Sequence, residues 1–242
     1  MKILLTVLTA LLMFSSQVHA KQKVTLLLDW FVNPDHAALI VAQQKGYFAA
    51  HDLEVEIIEP ADPSMPPKLV AAGKADLAVD YQPQLQMQVA EGLPLVRVGT
   101  LVSTPLNSIV VLQSSGIQSI ADLKGKKIAV QIGTTSMEEA QKIEGAEVKA
   151  LNSSADTFME LKAGNVDAVI NDLPVNDYYI VKTKATDVKR LDDKLTSEEY
   201  GFAMKKGNTE LKQKVDAALK TLKENGEYDK IYEKWFGTKP AK

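Results

Sequence analysis

Residues 26–36 read LLLDWFVNPDH, an apolar run that ends in an acid and a tryptophan and leads into a proline-opened helix start. The stretch KVTLLLD predicts a buried strand over residues 23–29. Pro34 suits the first turn of a helix and Gly46 suits the position just past its end, which predicts a helix within residues 34–48. A strand that leads directly into a helix is the unit from which parallel sheets are built.

The same alternation of strands and helices continues along the chain, and no short repeat is recognised in the sequence. Further strands are predicted at residues 53–59, 75–81, 95–101, 126–133, 146–151 and 166–172. Further helices are predicted at residues 66–74, 82–92, 136–143, 155–164, 174–183 and 208–237. This order predicts an α/β protein whose sheets are mostly parallel and are flanked by helices.

The elements fall into two sets, which predicts two lobes joined by two extended crossovers. The first lobe is expected to hold residues 21–108 and 201–242, and the second residues 114–196. The crossovers are expected to act as a hinge, with their bounds at residues 109–113 and 197–200. Ligands of open α/β sheets bind outside the carboxyl ends of the strands, so two lobes that face each other predict one shared cleft.

The first 20 residues have the layout of a secretory signal peptide, with a lysine, a short apolar run and the small-residue finish VHA. A membrane anchor is the alternative, but the apolar run is shorter than the roughly 20 residues that a spanning helix needs. The sequence contains no cysteine, which excludes a lipid-attachment cysteine, a disulfide framework and a cysteine-based metal site. These features predict a protein of the periplasm that is not lipid-anchored.

Charge and motifs exclude several other classes of function. The formal net charge is −3, and no basic stripe indicates a nucleic-acid partner. The sequence has no G-x-S-x-G, no H-E-x-x-H and no phosphate-binding loop. We therefore expect a protein that is not an enzyme, has no catalytic residue, binds no metal or cofactor, and is a monomer.

Polar and aromatic residues stand where two predicted strands of the first lobe end. Asp29 and Trp30 follow the first strand, and Tyr81 and Gln82 follow the third. The two aromatic rings are candidates to enclose a flat ligand ring, while Asp29, Asn33 and Gln82 are candidates to bind its nitrogens. In an equally weighted alternative, Trp30 fills the core and the nearby acid at position 35 caps the helix.

His36 is the one histidine of three that is expected near the cleft. It is a candidate ligand-binding residue because it stands at the predicted helix start beside the strand end. A histidine at such a position is more often a capping or surface residue, and this alternative stays open.

Residues 23–128 resemble the periplasmic binding proteins for thiamine pyrimidine precursors. The resemblance rests on LLLDWFVNPDHAALIVAQQKGYF, on PADPSMPPKLVAAGKADLAVDYQPQLQMQVAEGLPLVRVGTLVSTPLNSIVVL and on SIADLKGKKI. It implies a protein that delivers an aminopyrimidine to the membrane permease of an ABC importer. It also implies that Asp29, Trp30 and Tyr81 belong to the ligand cleft. Some relatives of that group synthesise the pyrimidine, with a cysteine-rich motif that is absent here.

Residues 123–239 instead resemble polar amino-acid binding proteins of the glutamine and arginine type. The resemblance rests on KKIAVQIGTTSMEEAQ, FMELKAGNVDAVINDLPVNDYYI, YGFAMKKGNTELKQKV and LKENGEYDKIYEKWFG. Together the two resemblances imply a mosaic with a seam near residues 120–130. They also imply the two-lobe fold of type II periplasmic binding proteins.

The second resemblance supplies a second set of candidate ligand-binding residues. Asp172 matches the acid that binds the ligand's ammonium group, and Gln131 stands where a side-chain reader often lies. Thr134, Thr135 and Ser136 stand at a predicted helix start, where free backbone amides favour an anion.

In an alternative that carries at least equal weight, the hydroxyl residues only cap the helix. Ser136 and Glu139 then form a capping box, with Ser136 as the N-cap. Four acids, Glu138, Glu139, Glu198 and Glu199, are expected on the outer rims, as ordinary solvated surface rather than as a permease-docking site.

One residue expected for an amino-acid ligand is missing. The amino-acid group clamps the ligand carboxylate with an arginine in the first lobe. Residues 99–113 contain no arginine, and Arg97 lies inside a predicted strand. The sequence therefore predicts a solute-binding component of an ABC importer that captures a small nitrogenous solute. A thiamine-related aminopyrimidine is favoured over a polar amino acid.

Overall fold

The computed structural model of the protein describes residues 21–103, 106–196 and 198–237. The predicted signal peptide lies outside the described residues. The strands are β1 (Gln22–Leu27), β2 (Leu53–Ile58), β3 (Leu77–Tyr81), β4 (Leu95–Val102), β5 (Asn107–Leu112), β6 (Lys127–Gln131), β7 (Glu147–Leu151), β8 (Ala168–Asp172), β9 (Val188–Arg190) and β10 (Tyr200–Lys205).

The α-helices of the described residues are α1 (Ala37–Gln44), α2 (Tyr47–Ala50), α3 (Pro66–Ala71), α4 (Gln82–Ala90), α5 (Thr135–Gln141), α6 (Ser154–Lys162), α7 (Leu173–Thr183), α8 (Thr209–Glu224) and α9 (Glu227–Phe236). Short 3₁₀ turns cover Pro34–His36, Gln113–Ser115 and Ile120–Leu123. The long helical stretch predicted at residues 208–237 is two helices, because Gly226 adopts the left-handed conformation between them, with φ of 74°.

The strands form two five-stranded sheets with the same internal plan. Their orders are β2-β1-β3-β10-β4 in the first lobe and β7-β6-β8-β5-β9 in the second. β10 runs antiparallel to β3 and β4, and β5 runs antiparallel to β8 and β9. Each sheet therefore has four strands in one direction and one reversed strand, and the predicted two-lobe α/β fold is confirmed.

The passage between the lobes lies earlier in the chain than the expected first hinge. Residues 109–113 largely coincide with β5, whose ladder with β8 runs from Asn107 to Val111. The chain therefore leaves the first lobe between β4 and Asn107. The second expected hinge covers residues 197–200. Residue 197 lies outside the described residues, and Tyr200 is already the first residue of β10 in the first sheet. A run such as SIVVL has the same appearance whether it crosses between lobes or pairs inside a sheet, which explains the displaced boundary.

The structure reveals an internal repeat that the sequence analysis did not recognise. Residues 73–83, GKADLAVDYQP, and residues 164–174, GNVDAVINDLP, form the same loop, strand and helix start in the two lobes. In each copy an aspartate accepts a hydrogen bond from the neighbouring strand's backbone: Thr25 N donates to Asp76 over 2.8 Å, and Lys127 N donates to Asp167 over 2.9 Å. The repeat makes Tyr81 and Asp172 equivalent residues.

Helix α8 covers one face of the first sheet without filling the space beneath it. Leu211 is the buried residue of this helix, while Val215 and Leu219 are half-buried against the core. Leu219 rests over Gly99, where a Cβ atom would overlap the Leu219 side chain. A cavity of about 80 Å³ remains between α8, α1 and the sheet, and its lining is almost entirely apolar.

Helix α9 contacts α8 and joins the two lobes. It packs against α1 of the first lobe and α7 of the second. The Tyr228 hydroxyl donates a hydrogen bond to the Leu101 carbonyl over 2.8 Å, and Trp235 lies beside Tyr178 with 5.9 Å between ring centroids. In the part of the chain that the structure describes, no helix has the length and apolar character needed to cross a bilayer.

Candidate ligand-binding cleft

The two lobes meet through direct contacts between residues at their strand ends. The Tyr81 hydroxyl donates to Asp172 Oδ2 over 3.2 Å, and the Trp30 indole N–H donates to the Asn152 carbonyl. These two aromatic residues are buried, with 4% and 6% of their surfaces exposed. The lobes are therefore closed on each other, and a ligand can enter only after they separate.

A second set of contacts closes the rim of the cleft. The Gln84 amide donates to Glu138 Oε1 over 3.0 Å, from α4 of the first lobe to α5 of the second. Gly133 has a φ of 76°, and a Cβ atom there would overlap the ring of Pro63 in the opposite lobe. Gly133 thus permits both a left-handed backbone and the close approach of the two lobes.

Asp29, His36 and Tyr200 form a buried group at the end of β1. His36 Nε2 lies 2.7 Å from Asp29 Oδ1 and 3.0 Å from the Tyr200 hydroxyl, and Tyr200 also donates to Asp29. His36 Nδ1 accepts from the Asn33 backbone N–H over 3.2 Å, so the Nε2 position carries the proton that Asp29 accepts. His36 is fully buried, so the surface alternative is wrong, whereas the capping alternative is confirmed.

Asp35 and Asp172 form a buried carboxyl pair across the cleft. Neither oxygen of Asp35 accepts a hydrogen bond from a donor group among the described residues, and Asp172 Oδ1 also lacks one. Burial raises the pKa of both carboxyls, to about 7 for Asp35, and the neighbouring Asp35 charge raises the pKa of Asp172 further. Two neighbouring buried carboxylates repel each other, so this pair favours holding a proton.

Asp80 and Asn171 are equivalent residues of the internal repeat, one position before Tyr81 and Asp172. Asp80 Oδ1 accepts from the Tyr81 N–H and Asn171 Oδ1 accepts from the Asp172 N–H, each over 2.9 Å. In both residues the second polar side-chain atom is buried and unpartnered within the described chain. Burial raises the pKa of the Asp80 carboxyl to about 7.

The hydroxyl residues of the second lobe are engaged in a separate network. Thr135 Oγ1 donates to Glu198 Oε1 over 2.8 Å and accepts from the Asn107 amide over 3.1 Å. Ser136 Oγ donates to Asn107 Oδ1. Glu198 was expected on a solvated rim, but it is 5% exposed, and burial raises the pKa of its carboxyl. Glu198 accepts a hydrogen bond from the buried Asn107 amide, which accounts for its burial.

The N-cap of α5 is Thr134 and not Ser136, which corrects the predicted capping box. Thr134 Oγ1 accepts from the Met137 N–H over 3.4 Å, and Ser136 is already inside the helix. Glu139 pairs with Lys142 over 2.6 Å instead of reaching back. Gln131 ends β6 and is buried, 6% exposed, in the position that corresponds to Asp29 in the first lobe.

Two predicted site residues lie away from the buried cluster. Asn33 is the N-cap of the 3₁₀ turn, where its side chain accepts from the Asp35 N–H over 2.8 Å. The Gln82 side chain accepts from Arg97 over 2.6 Å, and Arg97 also pairs with Glu199 near the surface. Arg97 thus has partners outside the cleft.

The aromatic pairs differ from the predicted ring sandwich. Tyr81 contacts Tyr200 edge-on, with 5.2 Å between centroids, while Trp30 lies against Phe31 at 4.9 Å. Sequence reasoning missed Tyr200, Asn107 and Glu198. The only available signal for Tyr200 was its place at the start of the strand YGFAM, and that alone does not indicate which neighbour it contacts.

The cleft is rich in hydrogen-bond acceptors and poor in cations. Five acids are buried: Asp29, Asp35, Asp80, Asp172 and Glu198. Among the buried polar residues that the structure describes, His36 is the one basic side chain. The described residues contain no cluster of three or more His, Cys, Asp or Glu side chains arranged to hold a metal ion. The arrangement suits a ligand that brings N–H groups.

Two lobes of this topology, closed over a buried polar cluster, define a two-lobe binding protein of the type II periplasmic class. A family profile described as NMT1/THI5 like matches residues 33–225, and the chain belongs to this family. The match continues past the predicted seam near residues 120–130.

Several similar proteins have names that refer to thiamine biosynthesis or to a pyrimidine. The chain is 54% identical over 165 residues to a putative thiamine biosynthesis protein of Haemophilus influenzae, a match that covers 66% of this chain and 52% of the relative. It is 40% identical over 108 residues to a 4-amino-5-hydroxymethyl-2-methylpyrimidine phosphate synthase of Legionella pneumophila, covering 45% and 34%. It is 30% identical over 180 residues to a formylaminopyrimidine-binding protein of Halalkalibacterium halodurans, covering 72% and 54%. The chain thus spans from a third to about half of these relatives' length.

Similar solved structures are amino-acid binding proteins. An ancestral arginine-binding protein bound to arginine superimposes with a TM-score of 0.71 at 29% identity, covering 90% of this chain and 100% of the other. The substrate-binding protein of an amino acid ABC transporter gives 0.68 at 28% identity with the same coverage. Both predicted resemblances, to pyrimidine-related and to amino-acid binding proteins, are therefore confirmed.

Proposed function

We propose that the protein is the periplasmic solute-binding component of an ABC importer and that it captures a thiamine-related aminopyrimidine between its lobes. The pyrimidine-related relatives and the amino-acid importer structures support the class. The observation that carries the ligand is the Asp35–Asp172 carboxyl pair, which is buried where the lobes meet and in which both pKa values are raised.

A protonated carboxyl presents an O–H donor beside a carbonyl acceptor. An aminopyrimidine edge presents the complement, a ring nitrogen acceptor beside an amino N–H donor. The ligand would replace the Tyr81 hydroxyl at Asp172 and form two parallel hydrogen bonds in a site from which water is excluded. Tyr81 and Trp30 would then supply aromatic surface on the first-lobe side.

An α-amino acid fits the same surroundings less well. Its carboxylate needs a cationic partner, and His36 is already bonded to Asp29 while Arg97 pairs with Glu199. Asp172 would bind the ammonium group of an amino acid. A polar amino acid is therefore the second candidate, and the similar amino-acid binding structures support it. Binding without chemical conversion is proposed over synthesis, because the cysteine-rich motif of the synthesising relatives is absent.

Calorimetric titration of the protein and of two Asp172 variants tests the ligand. We expect saturable binding of 4-amino-5-hydroxymethyl-2-methylpyrimidine. Asp172→Asn should retain affinity within about tenfold, because an amide offers the same donor and acceptor, whereas Asp172→Leu should lose about a hundredfold or more. Binding of arginine or glutamine alone, abolished already by Asp172→Asn, would show that an ammonium group is recognised instead.

The same samples separate binding from synthesis. The pyrimidine recovered from the complex is expected to be chemically unchanged by mass spectrometry. Its conversion during incubation, dependent on the folded protein, would contradict a role limited to binding.

A further inference from the structure

Asp35 and Asp172 reach the interface between the lobes from opposite sides. Asp35 lies in the 3₁₀ turn of the first lobe, and Asp172 ends β8 of the second lobe, directly before α7. The turn packs against α7, and each of the two acids is 3% exposed. Closure of the lobes thus brings two carboxyls, one from each lobe, into a single space from which water is excluded.

The closed arrangement offers these two carboxyls few hydrogen-bond donors. The Tyr81 hydroxyl donates to Asp172 Oδ2 over 3.2 Å. Asp172 Oδ1 and both Asp35 oxygens are buried and have no hydrogen-bond partner among the described residues. A buried carboxylate is strongly disfavoured unless donors or cations compensate for its lost hydration, and a proton removes the charge altogether.

In the described chain, the groups that face the pair supply no free cation. His36 lies beside Asp35, but its Nε2 is bonded to Asp29. Helix α1 carries no ionisable side chain, and in α7 Asp177 pairs with Arg190. Other titratable groups around the pair, from the strand ends, the passage between the lobes and α9, are acids and phenols: Asp29, Tyr81, Glu198, Tyr200, Tyr228 and Tyr232. Two ionised carboxyls would therefore repel each other across the closed interface.

We propose that the lobes close with the uptake of a proton by the Asp35–Asp172 pair, so that the ligand-free protein closes in acid and opens as the pair ionises. In the open arrangement water reaches the carboxyls and the two are drawn apart, so each regains an ordinary pKa of about 4. In the closed arrangement burial raises the pKa of Asp35 to about 7, against the opposing effect of His36. The closed form therefore binds the proton more tightly, and its advantage is lost as pH rises through about 7.

The same proton enters the binding of a ligand, a consequence that rests on the proposed function. An aminopyrimidine that bonds to a protonated carboxyl of this pair closes the lobes and retains the proton. Its affinity should therefore fall as pH rises through about 7. Proton uptake by the ligand-free protein does not depend on this ligand.

The test measures the distance between the lobes of the ligand-free protein as a function of pH. Spin labels on Met87→Cys and Met159→Cys report it, because these positions are exposed and lie on different lobes. We expect a short distance at about pH 5 and a longer one at about pH 8, since deprotonation of the pair removes the advantage of the closed form. Exchange of one proton lowers the ratio of closed to open molecules by about tenfold per pH unit between about pH 5 and about pH 7.

Amide variants identify the groups that take up the proton. Asp35→Asn keeps the turn, because the Asn33 side chain accepts from the backbone N–H at this position, and it should by itself remove most of the pH dependence. Asp35→Asn combined with Asp172→Asn should remove the pH dependence completely. Asp80→Asn is the matched control: its carboxyl also has a pKa of about 7, but it bonds the Tyr81 backbone within its own lobe, so the dependence should remain.

Three outcomes would overturn the proposal. They are equal distances at the two pH values, a dependence that survives in the double variant, and a dependence that is lost in Asp80→Asn. No ligand is present in these measurements, so their result is separate from whether the proposed aminopyrimidine binds.

Discussion

Tyr81 and Asp172 occupy the same position in the two copies of an internal repeat, and they hydrogen-bond each other across the cleft over 3.2 Å. Each ends a central strand, and each precedes a helix with proline in its first turn. The same local backbone thus presents an aromatic hydroxyl on one side and a carboxyl on the other. Contact between these two residues is a direct measure of whether the lobes are closed.

Tyr81→Phe should shift the ligand-free protein towards an open arrangement. The change removes the hydrogen bond that Asp172 Oδ2 accepts from the opposite lobe, worth about 1 kcal/mol, and leaves a buried carboxyl less satisfied. Small-angle X-ray scattering should show a larger radius of gyration. Tyr200→Phe is the matched control, because the Tyr200 hydroxyl bonds Asp29 within its own lobe. Equal radii for the protein and Tyr81→Phe would contradict the prediction.

Gly133→Ala should block closure by steric overlap with Pro63. The new methyl group also pays a cost of about 1 kcal/mol for the left-handed backbone. Gly116→Ala carries the same backbone cost, with φ of 75° and no neighbour near the added methyl group, so it separates strain from overlap. Gly133→Ala should weaken ligand binding by about tenfold, whereas Gly116→Ala should not. Adding Pro63→Ala to Gly133→Ala should restore the affinity.

The distance between the lobes can be measured without background labelling, because the sequence has no cysteine. Met87→Cys on α4 and Met159→Cys on α6 place spin labels on exposed positions of the two lobes, 52% and 68% exposed. Electron-spin distance measurements should show a longer separation in Gly133→Ala than in Gly116→Ala. Identical distance distributions would mean that Pro63 yields to the added methyl group.

Asp80→Asn should remove a pH dependence of stability. The folded-state pKa of Asp80 is raised to about 7 from 3.8, so the folded protein holds a proton that the unfolded chain releases. Its contribution is fully present below about pH 4 and is lost as pH rises through about 7, a change of about 2–4 kcal/mol.

Denaturant unfolding from about pH 4 to about pH 8 measures this loss directly. The advantage of Asp80→Asn over the unmodified protein should grow by that amount over the range. Asn171 shows that an amide makes the same backbone hydrogen bond in the other lobe, so the variant should keep the turn. A pH-independent difference between the two proteins would rule out the proposed proton.

Ala218→Leu should stabilise the protein by partly filling the cavity under α8. Ala218 lines the cavity, and the added carbon atoms would bury apolar surface worth about 1 kcal/mol. Ala217→Leu on the exposed side of the same helix has the same helix propensity and should change the free energy of unfolding by less than about 0.5 kcal/mol. Equal effects of the two variants in thermal unfolding would show that the space cannot accept a larger side chain.

The rule that ligands lie at strand ends predicted several members of the buried cluster. Asp29 follows β1 and Tyr81 ends β3, as this rule predicts, whereas Asp172, at the end of β8, was a candidate from the resemblance to amino-acid binding proteins. The structure places all three where the lobes meet. Periodicity and helix signals are local, so they could be read from single segments of sequence. His36 joined this group because the turn after β1 is short.

The remaining members depend on how distant segments pair. Tyr200 and Asn107 begin the two reversed strands, β10 and β5, whose neighbours are set by the crossovers and not by local pattern. Glu198 looks like a surface acid in the run SEEY, and only the position of Asn107 shows why it is buried. Thr135 and Ser136 were correctly placed at a helix start, but their partners could not be inferred.

The two lobes should not be completed in the order in which their sequences are made. The second lobe is drawn from one nearly uninterrupted stretch, whereas the first lobe waits for β10, which inserts between β3 and β4. The end of β4 at Val102 is followed by 97 residues before Tyr200 begins that strand. As the chain emerges from its N-terminus, the edges of β3 and β4 therefore stay unpaired until β10 has emerged. We expect the second lobe to fold first. The insertion of β10 between β3 and β4 should then be the last step in the folding of the first lobe.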